Sequence, residues 1–248
     1  MAINQYTFKR HGVGLPDVTM PIDRALYSVN GGPMASTAGK IVCVGRNYAD
    51  HAKELGNEVP ESPLLFMKPS SAIQPLHGER LRIPTGQGAC HHELELAVLI
   101  GGLMQGVSAD NALTNVAGYA LGLDLTLRDL QDALKAKGHP WERAKAFDGS
   151  AALGPFVSAN VFGNVSKASF QLERNGVVQQ EGKVTEMIFS VADLLAEISS
   201  VFTLEAGDIV FTGTPAGVGP LAVGDNLSAK LITGNGQEYA WKTRVVGR

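Results

Sequence analysis

The sequence has few of the features that mark a disulfide-stabilised, membrane-spanning or nucleic-acid-binding protein. It contains two cysteines in 248 residues, Cys43 and Cys90, and their wide spacing excludes a disulfide framework and matches no zinc-binding pattern. We expect both to be small core residues. No run of 18 apolar residues predicts a membrane span. The 21 basic and 24 acidic residues give a net charge of -3, which argues against a nucleic-acid-binding surface.

The N-terminal segment MAINQYTFKRHG lacks both the apolar core of a secretory signal and the Arg- and Ser-rich pattern of an organelle presequence. We therefore expect a cytoplasmic protein that binds neither membrane nor nucleic acid. Residues 1–38 are rich in Gly and Pro, show weak periodicity and predict a loop-rich arm. Residues 39–248 are expected to form one domain with a sizeable core, since 44% of the whole chain is hydrophobic.

Residues 39–248 show mostly strand patterns separated by short helical ones. Strands are predicted for KIVCVG, SPLLFMKP, HHELELAVLIGG, VAGYALGLDLT, GDIVFTGTP and LSAKLIT, a hairpin turning at Asn175 and Gly176 for FQLERNGVVQQEG, and helices for NYADHAKELG, TLRDLQDALKAKG and SVADLLAEISSVF. The predicted fold class is thus α+β, with a mixed β-rich core and short peripheral helices.

Two carboxylates interrupt the otherwise apolar segment HHELELAVLIGG. If the segment is one strand, Glu93 and Glu95 project to the same side, because side chains alternate between faces. Buried carboxylates this close repel each other and lose hydration, so a shared proton or a cation is needed to hold them. The alternative is a solvent-exposed strand face on which the pair meets water. Taken alone, the E-x-E pattern favours that alternative.

Asp124 shifts the balance towards a metal site. It interrupts the apolar segment YALGLDLTL, and Asp is depleted in strands. A helix cap does not account for it, because Thr126, with Asp129 three residues later, is the better capping candidate. Three carboxylates without a thiolate would form a hard oxygen site that suits Mg²⁺ or Mn²⁺ better than zinc. His91 and His92, which precede Glu93, are left outside the predicted ligand set.

A second candidate for chemistry lies on the helix predicted for NYADHAKELG. His51 and Glu54 are one turn apart and can touch, so the carboxylate would fix the imidazole tautomer and make the ring a better base. A surface helix pair explains the same spacing.

Lys145 lies in KGHPWERAKAFDGS, a segment that is also typical of a solvated loop. The Gly-rich TGTPAGVGP lacks the P-loop ending and the dinucleotide fingerprint, although its N–H groups could hold a substrate carboxylate.

Seven motifs in this order resemble the fumarylacetoacetate hydrolase family, especially its short acylpyruvate-hydrolase-like and fumarylpyruvate-hydrolase-like members. They are VGRNYADHAKELG, LLFMKPSSA, HHELELAVLIG, GLDLTLRDLQ, PWERAKAFDGSAALGPFV, LERNGVVQQEGKVTEMIFS and DIVFTGTPAGVGPL. The resemblance implies a β-sandwich roll, a homodimer, and Mg²⁺ or Mn²⁺ held by Glu93, Glu95 and Asp124. It also implies a catalytic dyad of His51 and Glu54 on a lid helix, and substrate contacts from Arg128, Gln131, Lys145 and Thr214.

The activity that we expect from this resemblance is hydrolysis of the C–C bond of an acylpyruvate, a small keto-acid substrate, to pyruvate and a carboxylic acid. Glu54 would orient His51, which deprotonates a water, and Lys145 or Gln131 would stabilise the oxyanion while the metal stabilises the departing enolate. Decarboxylation or keto–enol tautomerisation of oxaloacetate is the alternative, since it needs the same chelate without the water. A third interpretation is a keto-acid- or metal-binding protein without catalytic activity.

Overall fold

The fold was examined in a computed structural model, which describes residues 25–29, 33–54, 56, 58–78 and 80–248. Across these ranges the chain forms short α-helices and many strands, so the predicted α+β class with a mixed β-rich core is confirmed. The strands are β1 Ala25–Tyr27, β2 Pro33–Thr37, β3 Ile41–Gly45, β4 Leu64–Lys68, β5 Ile73–Pro75, β6 Leu81–Ile83, β7 Cys90–His92, β8 Leu94–Ile100, β9 Val116–Asp124, β10 Thr126–Leu127, β11 Ala151–Leu153, β12 Val157–Ser158, β13 Ser169–Arg174, β14 Val177–Lys183, β15 Ile209–Phe211, β16 Gly219–Pro220, β17 Asn226–Ile232 and β18 Glu238–Gly247. The α-helices are α1 Ala49–Glu54, α2 Ala109–Ala112, α3 Arg128–Ala136, α4 Glu142–Lys145, α5 Ala159–Phe162 and α6 Val191–Val201.

The predicted loop-rich arm lies mostly outside the described residues, which begin at Ala25. Its described part contains two antiparallel strands, β1 and β2, that the Gly- and Pro-rich sequence did not predict. Leu26 is buried in an apolar cluster with Ile41 and Phe156, so this part of the arm packs on the remainder of the chain. The division at residue 38 stays a prediction.

The largest sheet is strongly curved, and this curvature brings distant strands to one site. Its strands follow the order β4-β3-β15-β8-β9-β11-β5, so a flat sheet would separate β4 from β5 by about 29 Å. These two edge strands are joined by residues 69–72 alone, a link that spans at most about 18 Å. The sheet therefore curls, and side chains on β4 can reach those on β9.

Both faces of this sheet are covered by apolar side chains, as the alternation along its strands requires. On β8, Leu96 and Val98 join one buried cluster, whereas Ala97 and Leu99 join a second cluster on the opposite face. Because side chains alternate along β8, Glu95 lies on the same face as Ala97. Near the start of the strand this face therefore carries a polar side chain, and the candidate site lies there.

A second sheet, in the order β14-β13-β17-β18-β6, packs beside the first. Its hairpin turns at Asn175 and Gly176 as predicted, and both residues have positive φ, of 54° and 77°, which suits a tight two-residue turn. In the described part of the chain, no helix has the length and apolar character needed to cross a membrane.

Two local predictions are wrong. The segment HHELELAVLIGG is not one strand, because it breaks at Glu93: β7 pairs with β10 and β16, while β8 pairs with β9 and β15. Thr126 does not cap the following helix, because pairing with His91 holds it in β10 and its hydroxyl donates to the Asp124 carbonyl, 3.2 Å away. The N-cap position of α3 is Leu127, without a side-chain cap.

Candidate metal and substrate site

Three buried carboxylates converge where β7, β8 and β9 meet. Glu93 lies in the break between β7 and β8, Glu95 is on β8, and Asp124 is the last residue of β9. The Asp124 N–H donates to the Glu93 carbonyl at 2.9 Å, which fixes the two backbones against each other. One oxygen from each carboxylate lies within 4.8 Å of the other two. The three side chains predicted from the sequence therefore form a single cluster of hard oxygen donors.

Cationic side chains contact two of these carboxylates. The Lys145 ammonium, at the end of α4, lies 2.7 Å from Glu93 Oε2 and 2.8 Å from Asp124 Oδ2. Lys68, the last residue of β4, contacts Asp124 Oδ1 at 2.7 Å, and the Arg128 guanidinium pairs with Glu93. Burial alone would raise the pKa of Glu93, but Lys145 and Arg128 outweigh it and hold that pKa well below its usual value.

Glu95 has different surroundings. Its side chain accepts a hydrogen bond from the Gly213 N–H at 2.6 Å, and no Lys, Arg or His of the described residues forms an ion pair with it. Burial, together with the nearby Asp124 and Glu93, raises the pKa of Glu95 well above its usual value. A buried carboxylate without a cationic partner is unfavourable, so this position calls for a positive charge.

His51 and Glu54 lie on α1 and contact each other as their spacing predicted. His51 Nδ1 lies 3.3 Å from Glu54 Oε2. Because a carboxylate accepts, Nδ1 carries the proton and Nε2 is the basic atom. Glu54 is held in turn by the Gly217 N–H, at 3.1 and 3.2 Å from its two oxygens. Burial lowers the pKa of His51, although Glu93 and Glu54 oppose this, so burial favours the neutral ring.

Arg128 and Gln131 occupy the first turn of α3, and both are buried. Arg128 Nη1 donates to Gln131 Oε1 at 2.7 Å, and the same guanidinium pairs with Glu93. Gln131 thus presents its oxygen to Arg128, which leaves its Nε2 group free of any hydrogen bond within the described ranges. The residues predicted to contact substrate therefore also position Glu93.

Thr214 belongs to the Gly-rich segment after β15 and is fixed by two hydrogen bonds. Its hydroxyl donates to the Leu94 carbonyl at 2.9 Å and accepts from Gln180 Nε2 at 2.8 Å. Gln180 also donates to the Pro215 carbonyl and accepts from the Leu94 N–H and His92 Nδ1. One buried amide on β14 thus connects the strand that carries Glu95 to the Gly-rich segment.

A cavity beside the carboxylates collects most of the predicted residues. It is lined by Val44, Gly45, Arg46, His51, Leu64, Phe66, Glu93, Glu95, Asp124, Arg128, Gln131, Lys135, Trp141, Lys145 and Thr214. Of the nine residues singled out from the sequence, Glu54 alone is missing from this lining, and it contacts the cavity through His51. Neither His91 nor His92 belongs to the carboxylate cluster.

Sequence reasoning missed three side chains of this site. Lys68 ends the predicted strand SPLLFMKP, and a lysine at the end of an apolar run carries no sign that it points inwards. Gln180 belongs to the predicted hairpin FQLERNGVVQQEG, in which no pattern marks it as buried, yet it is 1% exposed. Arg46 was noticed only as part of a motif, and its left-handed backbone, with φ of 59°, could not be predicted for an arginine.

Comparison with known proteins identifies the family. Residues 40–240 match the fumarylacetoacetate (FAA) hydrolase C-terminal family. This chain belongs to the fumarylacetoacetate hydrolase family. It is 48% identical over 208 residues to oxaloacetate tautomerase YcgM of Escherichia coli, covering 84% of this chain and 92% of that protein. It is 46% identical over 191 residues to the mitochondrial oxaloacetate tautomerase FAHD1 of Bos taurus, covering 77% and 86%.

A solved relative adds a metal to the comparison. The fumarylpyruvate hydrolase of Pseudomonas aeruginosa, in complex with Mn²⁺ and pyruvate, has a TM-score of 0.83 and 36% identity to this chain, covering 90% of this chain and 96% of that one. Members of the fumarylacetoacetate hydrolase family are enzymes that use divalent metals. The residues present here fit such an ion, since Glu95 is buried beside two further carboxylates and has no cationic partner in the described part of the chain.

Proposed function

We propose that this protein catalyses the keto–enol tautomerisation of oxaloacetate. The observation that carries the proposal is the contact of His51 with Glu54 in a cavity that His51 lines together with Glu93, Glu95 and Asp124. Tautomerisation needs one base near a chelated 2-oxo acid and no attacking water. The similarity to proteins named oxaloacetate tautomerase supports placing tautomerisation, the alternative in the sequence analysis, before acylpyruvate hydrolysis.

In the proposed reaction, a divalent cation held by Glu93, Glu95 and Asp124 would supply the positive charge that stabilises negative charge on the 2-oxo oxygen. His51 Nε2 takes a proton from C3 of the keto form. Lys145 stays protonated, because Asp124 and Glu93 raise its pKa although burial opposes them, and its ammonium adds positive charge beside the same cluster. Return of the proton from His51 to the oxygen yields the enol, so no atom is gained or lost.

Hydrolytic cleavage of an acylpyruvate is the second candidate, and one observation favours it. A neighbouring cavity of about 250 Å³ shares Leu64, Phe66, Trp141 and Lys145 with the first. An acyl chain could extend into this space while the pyruvate end remains at the carboxylates. In that reaction His51 Nε2 would take a proton from water, and the hydroxide would attack the distal carbonyl. The C–C bond would then break to give a carboxylic acid and the enolate of pyruvate, whose C3 would take the proton back from His51.

Enol decay tests the main proposal. Oxaloacetate dissolved in its enol form is mixed with protein and Mn²⁺, and the loss of enol absorbance is compared with the uncatalysed rate. We expect acceleration that a chelator removes, and little pyruvate during the measurement. Acetylpyruvate and fumarylpyruvate in the same assay test the second candidate through loss of their diketo absorbance.

The His51→Gln variant separates base catalysis from metal catalysis. We expect it to lose at least about 100-fold of the enol decay rate, since general base catalysis contributes roughly that much. Asp50→Asn, which changes the exposed neighbour on the same helix, is the matched control and should retain the wild-type rate. A wild-type rate no faster than that of His51→Gln would contradict the proposal.

A further inference from the structure

Two cations at the cavity, Arg46 and Lys135, have no part in the chemistry described so far. Both line it together with His51. Arg46 has neither a hydrogen bond nor an ion pair within the described residues. Lys135 lies 3.9 Å from the exposed carboxylate of Asp132, beyond hydrogen-bonding distance, and its ammonium lies 5.4 Å from the centre of the Trp141 ring. Within the part of the chain that the structure describes, Arg46 therefore has no anionic partner, and Lys135 has the exposed Asp132 beyond hydrogen-bonding distance.

The backbone at Arg46 is held in an unusual conformation. Its φ is 59°, a region that side chains larger than Asn rarely adopt. The next residue, Asn47, fixes this turn, because its side chain donates to the Thr212 and Phe189 carbonyls and accepts from the Phe189 N–H. Strained residues held by their surroundings concentrate at functional sites. Arg46, in this conformation, lines the cavity that contains the carboxylates.

The charges of the site separate into an inner and an outer group. The inner cations Lys68, Lys145 and Arg128 are paired with Glu93 and Asp124. Among the described residues, the outer pair Arg46 and Lys135 has no buried carboxylate as partner, and burial with the nearby Arg128 and Arg46 lowers the pKa of Lys135 although Asp132 opposes this. Like charges brought together in a partly buried place are unfavourable unless an anion joins them.

We propose that Arg46 and Lys135 form a subsite for the second carboxylate of a dicarboxylic 2-oxo acid. The inference rests on the proposed function in one respect, that the 2-oxo acid end of the ligand binds beside Glu93, Glu95 and Asp124. An arginine fork suits a carboxylate because it donates two parallel hydrogen bonds. A neutral tail would bring no carboxylate to either cation in the cavity, so the subsite selects diacids over monoacids.

The test uses two ligands of equal chain length that differ in the distal group alone. 2-Oxoglutarate ends in a carboxylate and 2-oxopentanoate ends in a methyl group. Titration calorimetry with Mn²⁺-saturated protein should show at least about tenfold tighter binding of 2-oxoglutarate, as expected for charge-assisted hydrogen bonds in a partly buried site. Arg46→Asn removes the charge while suiting the positive φ, and Lys135→Met removes the second charge from α3.

Each variant should lose most of the preference for the diacid while binding 2-oxopentanoate as wild type does. Lys137→Met, an exposed lysine just after α3, is the control and should keep the preference. Equal affinities in wild type, no binding of either ligand, or a preference that persists in Arg46→Asn/Lys135→Met would each overturn the subsite. Failure of the enol assay with the preference intact would instead overturn the tautomerase proposal and leave the subsite standing.

Discussion

Glu93 and Glu95 are two residues apart and almost equally buried, yet they lie in opposite electrostatic surroundings. Glu93 contacts Arg128 of α3 and Lys145 of α4, whereas Glu95, on β8, accepts a hydrogen bond from the Gly213 N–H. Burial acts on both carboxyl groups in the same direction. The neighbouring charges nevertheless lower the pKa of Glu93 and raise that of Glu95.

The difference separates two tasks within one cluster. Glu93 has its own counterions on the helices, Arg128 and Lys145, so the protein alone holds it in place. The burial of Glu95, by contrast, is compensated only when a positive charge binds beside it. If the cluster binds the proposed cation, Glu95 is the carboxylate that gains most from it, while the contacts of Glu93 fix the geometry of the cluster.

The largest expected effect is one that both carboxylates share. Glu93→Gln and Glu95→Gln should each lower metal-dependent activity by at least about 100-fold, because even residues that merely support metal ligands contribute 10- to 100-fold. Mn²⁺ binding measured by calorimetry should fall with activity. The exposed Glu61→Gln provides the control and should bind Mn²⁺ normally. Full activity in either site variant would remove it from the proposed ligand set.

The metal-free protein should distinguish the two. With chelator present, Glu93→Gln should cost about 3 kcal/mol of unfolding free energy, since it leaves Arg128 and Lys145 partly unpaired in a buried site. Glu95→Gln should cost less than about 1 kcal/mol or stabilise, because an amide oxygen can still accept from Gly213 and the substitution removes a carboxyl group whose charged form is unfavourable there. Urea unfolding followed by circular dichroism measures both. Equal losses of unfolding free energy in the two variants would contradict the difference in electrostatic surroundings between Glu93 and Glu95.

Much of this arrangement could be predicted from residue patterns. Alternation along the chain predicted the main strands, and polar residues in apolar segments drew attention to Glu93, Glu95 and Asp124. The break at Glu93 could not be predicted, because the partners of β7 are β10 and β16, which lie far along the chain. Local sequence does not contain the pairing that ends a strand.

The counterions were harder to predict than the carboxylates. A carboxylate in an apolar strand is conspicuous because burial is unfavourable for it, but Lys68 at the end of a strand is also what an exposed edge would show. Its inward direction depends on the curl of the sheet, which brings β4 towards β9. The roles of the site residues, and the homodimer that the family resemblance implies, stay predictions.

The base on α1 offers a smaller effect that depends on pH. His51 must be neutral to act, and burial lowers its pKa, so kcat/KM should be constant from about pH 7 to 8 and fall as the pH drops below the ordinary histidine pKa of about 6.5. Glu54→Gln removes a carboxylate that raises this pKa, so the acid limb should move to lower pH while the plateau falls. An acid limb that moves upwards would contradict the contact assigned to Glu54.

The smallest expected effect concerns Gln180, which supports the strand that carries Glu95. Gln180 accepts from the Leu94 N–H and donates to Thr214, so Gln180→Met should leave buried groups beside Glu95 without partners. We expect a loss of about 1 to 2 kcal/mol in unfolding free energy and about tenfold weaker Mn²⁺ binding. Gln179→Met is the control, because the neighbouring Gln179 donates only to the carbonyls of the exposed strand residues Val177 and Val178 within the described part of the chain. If Gln180→Met lowers stability but leaves Mn²⁺ affinity unchanged, Gln180 supports the fold and not the position of Glu95.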